Sequence, residues 1–131
     1  MSAVHMDYSV LTTLRDVMED EYLTLLDVFV KDSDLRMTLL RQALLAARIG
    51  SAPLDFVELG LAAHSFKGSS SNMGAVHLSE LCRQLEQQAR DQVADGLQSL
   101  VESIGDEYQV IRRLFDAERQ ACIAQVVPLV T

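Results

Sequence analysis

Proline is nearly absent. Of 131 residues, only Pro53 and Pro128 could interrupt a helix. β-Branched runs are also rare and leucine and alanine dominate, which favours an all-α chain. The two cysteines, Cys82 and Cys122, provide neither a disulfide framework nor metal-finger spacing, and fit a reducing compartment. No basic segment leads into an apolar one at the start, and no apolar run is long enough to span a bilayer. Export and membrane insertion are therefore not expected, and a cytoplasmic location is. The formal net charge of -8 leaves no basic face for general nucleic-acid binding. Internal repeats and low-complexity segments are lacking. The length suits one domain with one core, expected over residues 1–131 with the bundle proper at about 20–125.

Several catalytic signatures are missing too. Gly68…Gly74 is no P-loop, because no Gly-Lys-Ser/Thr follows. The serine run at 69–71 has no Gly-x-Ser-x-Gly elbow around it. A di-iron bundle would need Glu-x-x-His pairs, but Leu61 and Gly74 stand three residues before His64 and His77. No metal site and no cofactor are expected.

What is present is helical periodicity. Residues 1–8 carry little pattern and are expected to fray. Val10, Leu11, Leu14, Val17 and Met18 mark a short first helix, with a break at Met18-Glu19-Asp20. A long amphipathic stretch runs from about residue 20 to Ile49, with Tyr22, Leu25, Leu26, Phe29, Met37, Leu40 and Leu44 on one stripe. Ser33 interrupts that stripe, which leaves open one continuous helix or two. Gly50 caps its end, and Pro53 is placed near the first position of the next helix. A third pattern runs from Leu54 to Met73 and stops at Gly74. The fourth starts near Val76–Leu78, carries Leu78, Leu81, Leu85, Ala89 and Gln92 or Val93 inward, and ends at Asp95-Gly96. In the fifth, Leu97, Val101, Ile104, Tyr108, Ile111 and Phe115 share a stripe. Gly105 within it costs about 1 kcal/mol relative to alanine. Cys122, Ile123, Val126 and Val127 then extend or fold back the last helix before Pro128. Short links between long amphipathic helices imply antiparallel neighbours. The expected fold is an up-down antiparallel four-helix bundle with a short extra N-terminal helix.

The direction in which His64 points follows from a rotation of about 100° per residue. With Phe66 inward, Leu59, Ala62, Ser70 and Met73 fall within roughly 40° of it and form the core stripe. His64 lies about 160° away, on the outer face with Val57, Gly60, Lys67, Gly68 and Ser71. Gly60 and Gly68 bracket it at i±4. Removing side chains there leaves room for another protein to approach, or lets a helix or the N-terminal segment pack closely. Val57 and Leu61 make an apolar patch beside it that suits partner docking, unless another helix covers them.

A neutral imidazole is a nucleophile that can hold a phosphoryl group on nitrogen. Lys67, one turn on, can stabilise the added charge. An acceptor at the other ring nitrogen would fix the tautomer, and Glu86, Gln87 and Arg90 on the following helix are candidates. His77, near a helix start, suits a capping or surface role, and His5 is assigned none. Cys82 reads as a packing residue near the edge of the fourth helix, and Ser69 and Ser70 as small inward residues.

His64-Ser65-Phe66-Lys67-Gly68-Ser69, followed by Gly74-Ala75, Leu78, Cys82 and Leu85-Glu86, resembles the signature of histidine phosphotransfer domains. That pattern is His-x-Leu-Lys-Gly-(Ser/Gly), then Gly-Ala, then Leu-x-x-x-Cys-x-x-Leu-Glu. Phe66 replaces the usual leucine. The resemblance implies that His64 accepts a phosphoryl group from a receiver-domain aspartate and passes it to another receiver. It implies that Lys67 aids the phosphate and that Gly68 keeps the surface open. Expected partners are receiver domains of hybrid sensor kinases and of response regulators, with magnesium supplied by the receiver. The chain itself is expected to be a monomeric, free-standing phosphocarrier without ATP binding. Two other readings compete. One is a non-catalytic helical adaptor using the Val57/Leu61 face. The other is the phosphoacceptor piece of a histidine kinase, which usually has Glu or Asp after the histidine and Pro a few residues on. Ser65 follows His64 here, and between His64 and Pro128 there is no proline.

Overall fold

The computed structural model describes residues 4–126. Five α-helices follow in order: α1 (Tyr8–Met18), α2 (Tyr22–Arg48), α3 (Phe56–Asn72), α4 (Val76–Arg90) and α5 (Leu97–Val126), with one 3-10 turn at Glu19–Glu21. No strand occurs among the described residues. The long helices α2 to α5 form the up-down antiparallel bundle, with α3 and α4 the most closely packed pair. α1 lies across the end that holds the α3–α4 turn.

α2 is one continuous helix. Its buried positions are Tyr22, Leu26, Phe29, Ser33, Met37, Leu40 and Leu44, an unbroken 3- and 4-residue spacing. Ser33 keeps the register because it is small and wholly buried. α5 buries Leu97, Val101, Ile104, Tyr108, Ile111 and Phe115 against it. The Tyr108 hydroxyl donates to Asp34 Oδ1 at 2.7 Å and to the Val30 carbonyl at 3.0 Å, tying the middles of the two helices. Gly105 sits at their contact. A Cβ there would collide with the Arg41 guanidinium and come within 3.3 Å of Met37 Cε. The helix-weakening glycine thus leaves room for the ends of the Arg41 and Met37 side chains.

α3 starts later than the pattern suggests. Asp55 is its N-cap, accepting from the Val57 and Glu58 amides at 3.0 and 3.1 Å. Pro53 therefore lies in the link before the cap and not at a first helical position, because a side-chain acceptor holds the helix start better than a fixed φ alone. The buried face is Leu59, Ala63, Phe66, Ser70 and Met73. Ala63 replaces the expected Ala62, which is only half-buried, because tight packing on α4 rotates the buried face toward that helix. Burial of Phe66 alone is worth about 1.5–3 kcal/mol.

α4 ends at Arg90, before Gln92 and Val93, which are both exposed. Gln92 turns out of the helix at φ 56°. The Gln88 amide then holds the link by donating to the carbonyls of Val93 and Asp95, at 2.9 and 2.8 Å. Cys82 is fully buried, not at the packing edge, and burial pushes its thiol up to about 12.

Of the segment expected to fray, residues 1–3 lie outside the described residues and Val4 is exposed, but residues 5–7 are docked on the bundle. Met6 is buried, and the Asp7 amide donates to the Gly74 carbonyl at 2.8 Å. His5, expected to be idle, places Nδ1 2.8 Å from Glu107 Oε2. His77 is half-buried, its ring edge-on to His5 at 6.4 Å, and makes no helix cap. Gly74, at φ 79°, is left-handed, and a Cβ there would lie 2.8 Å from the Asp7 carbonyl oxygen. Nearby, Glu118 Oε1 accepts from Arg15 Nη2 at 2.7 Å and from the Tyr22 hydroxyl at 2.9 Å, joining α1, α2 and α5. Val17 is exposed, so the α1 stripe is narrower than expected and centres on buried Leu11. At the end of α5 Cys122 is buried and Ile123 partly exposed. Val127 and Pro128 lie outside the described residues.

Candidate functional site

His64 projects from the outer face of α3, with 66% of its side chain exposed. Across the α3–α4 interface stands Glu86, only 15% exposed. Its Oε2 lies 2.7 Å from His64 Nδ1, and its Oε1 lies 2.6 Å from Lys67 Nζ. One carboxylate thus holds both side chains. An ionised carboxylate can only accept hydrogen bonds, so Nδ1 carries the ring proton. That leaves Nε2 with the free lone pair and no hydrogen-bond partner among the described residues.

The charges around this carboxylate are few. Lys67, 30% exposed, is the nearest cation, and Arg90 Nη2 stands 3.9 Å from Glu86 Oε2. The Glu86 carboxyl is held below the usual carboxylate range, chiefly by the Lys67 hydrogen bond and then by His64, against an opposing effect of burial. The backbone at this point is pinned as well. The Ser79 hydroxyl, on α4, donates to the Lys67 carbonyl at 3.2 Å.

The surroundings are open. Val57 and Leu61 are 71% and 60% exposed, so no helix among the described residues covers them. With Phe56, Gly60, Ala89 and Arg90 they line a shallow cleft that has His64 and Glu86 at its edge. Gly68 and Ser71 are exposed on the same face. A Cβ on Gly68 would meet nothing within 4 Å, whereas one on Gly60 would rest 3.6 Å from Ala89 Cβ. A Cβ at Gly68 would thus meet open space, and one at Gly60 would make an ordinary contact with Ala89, at the floor of the same cleft. Gln87 does not join the site, because its amide bonds Asp91 at 3.1 Å on the next turn of α4. Phe56 and Ala89 were not singled out from the sequence. Phe56 precedes the periodic part of α3, and Ala89 reads as an ordinary core position. Among the described residues no three His, Cys, Asp or Glu side chains converge to hold a metal ion, and no helix is long and apolar enough to cross a membrane.

An open histidine with one ring nitrogen pinned by a carboxylate, and an amine one turn on, suits a nitrogen that must accept and release a group. The Hpt domain profile matches residues 24–122, the greater part of the chain. The chain belongs to the Hpt domain family.

Among solved structures, this Hpt protein is similar to histidine-containing phosphotransfer protein B (HptB) from Pseudomonas aeruginosa PAO1. The identity is 46%, the TM-score 0.82, and the match covers 92% of this chain and 98% of that one. ZmHP2 from maize has the same fold at 23% identity and a TM-score of 0.73, with 87% of this chain and 86% of that one covered. A histidine-containing phosphotransfer protein from rice does so at 22% identity and a TM-score of 0.73, over 88% and 79% of the two chains. No curated protein sequence matches significantly. The Hpt domain and the likeness to HptB place the chain among the histidine phosphotransfer proteins of phosphorelays, which are phosphocarriers and work with receiver or kinase partners.

Proposed function

We propose that His64 is the phosphoacceptor, and that Nε2 takes the phosphoryl group from a receiver-domain aspartyl phosphate and gives it to a second receiver. The observation that supports this most is the Glu86 contact to Nδ1, which leaves Nε2 basic on an exposed face. In the forward step the Nε2 lone pair forms the P–N bond as the acyl-phosphate P–O bond breaks. The electron pair of that bond returns to the aspartate carboxylate, and no proton has to move. The protein supplies positioning and charge stabilisation. Lys67 offers a charge-assisted hydrogen bond to the phosphoryl oxygens, and magnesium comes with the receiver.

Receivers dock on the face made by Val57, Leu61, Gly68 and Ser71. Exposed apolar side chains beside a reactive group and a glycine that clears its approach support this. The interface is modest and transient, on the order of 1,200 Å² or less. The protein acts as a cytoplasmic monomer, relays between hybrid kinases and response regulators, and has no autokinase activity.

The test is incubation with a labelled phospho-receiver. Wild type should acquire acid-labile, base-stable label, and His64→Ala none. Equal labelling of the two proteins contradicts the assignment. Label from ATP alone would contradict the absence of autokinase activity.

A further inference from the structure

We infer that Glu86 is a positioning residue that keeps the Nδ1 proton on His64 while the phosphoryl group is on Nε2, and so keeps that group transferable. This rests on the phosphoacceptor reading above. Its starting point is geometric. One weakly exposed carboxylate bridges the reactive imidazole at 2.7 Å and the only amine one turn away at 2.6 Å.

The chemistry turns on the leaving group. When Nε2 bonds phosphorus with Nδ1 still protonated, the ring becomes a phospho-imidazolium. Attack by a receiver carboxylate then breaks the P–N bond, returns the pair to Nε2 and expels neutral imidazole. If the phosphorylated ring first loses its Nδ1 proton to water, the same step must expel an imidazolate, a far poorer leaving group. Whatever holds the Nδ1 proton therefore sets how readily the phosphoryl group leaves. A negative carboxylate favours the protonated ring more strongly than a neutral acceptor does.

The groups facing the imidazole are few and can be named. From α4 they are Glu86 at 2.7 Å and Arg90, 3.9 Å from the same carboxylate oxygen. From α3 there is Lys67. The other residues lining the cleft, among them Val57, Gly60, Leu61 and Ala89, carry no charge. Lys67 competes with His64 for Glu86. When Lys67 turns to the phosphoryl oxygens, Glu86 Oε2 and Oε1 are left to the Nδ1 proton. Arrival of the phosphoryl group thus strengthens the hold on that proton.

The experiment charges full-length wild type, Glu86→Gln and Lys67→Ala with phosphoramidate and follows the loss of phosphohistidine by 31P NMR between pH 5 and 10. Glutamine keeps the hydrogen-bond acceptor and removes the charge. The pH at which loss slows should fall by about one pH unit in Glu86→Gln, with hydrolysis about tenfold slower than wild type above that midpoint. In Lys67→Ala the midpoint should rise. These opposite directions separate the effect from simple loosening of the site, which would move both variants the same way. Coincident profiles for wild type and Glu86→Gln overturn the inference while leaving His64 as acceptor. Absence of any phosphohistidine in wild type overturns both.

Discussion

Two glycines stand at equal distance from His64, one turn before and one turn after, and only one of them is open. At Gly68 a side chain would point into empty space, and at Gly60 it would touch Ala89. Gly68→Ala should raise stability by about 1 kcal/mol, because alanine is the better helix former and nothing resists its methyl. Gly68→Gln should likewise keep or raise the urea midpoint yet transfer phosphoryl groups more slowly with receivers. Undiminished transfer in that variant would contradict the clearance role. The outward direction of His64 was legible from residue rotation alone. The choice of Glu86 over its neighbour Gln87 was not, since it depends on how α4 is rotated against α3. Glu86 also sets a pH limit. Its carboxyl lies below its ordinary value of 4.5 in the folded state, so the unfolded chain binds that proton more readily. The stability it contributes is present above about pH 4.5 and declines as pH falls toward the folded-state value. Glu86→Gln should therefore lose its stability deficit relative to wild type as the pH drops through that window, as read by urea unfolding.

At the scale of elements, the amphipathic helices were readable because their burial is periodic, and the N-terminal segment was not. Val4-His5-Met6-Asp7 has no period, and three separate tertiary contacts hold it. These are a buried Met6, the Asp7–Gly74 backbone bond and the His5–Glu107 pair. Glu107 is 6% exposed, and among the described residues His5 is its only ion-pair partner. His5→Ala should cost about 1–3 kcal/mol, the desolvation penalty of a buried acceptor left unpaired, measured by urea unfolding at pH 7. An unchanged midpoint would mean that the His5–Glu107 pair contributes nothing to the bundle. The ends of α3 and α4 were misjudged for a related reason. Asp55 and Gln88 act through side-chain bonds to the backbone, and hydrophobic spacing does not report those.

The whole molecule is a scaffold that brings α3 and α4 together so that a carboxylate from one helix meets an imidazole and an amine from the other. Three buried groups, one on α4 and two in the α2–α5 half, limit its stability at high pH. Cys82 is pushed up to about 12 by burial. Burial first, and then their carboxylate partners, raise the Tyr108 and Tyr22 hydroxyls above their ordinary value. The unfolded chain would release these protons before the folded one does. Their contribution is therefore complete below about pH 8.5, where a free thiol begins to titrate, and is lost as pH rises beyond it. Unfolding midpoints should fall between pH 9 and 11, and a flat profile would contradict the burial of these groups. The most direct test of the central claim is a 31P–15N correlation spectrum of the phosphorylated full-length protein. Phosphorus coupled to Nε2 of His64, with a protonated Nδ1, is the expected result. Coupling to Nδ1, or an unchanged phosphohistidine signal in His64→Gln, would contradict it.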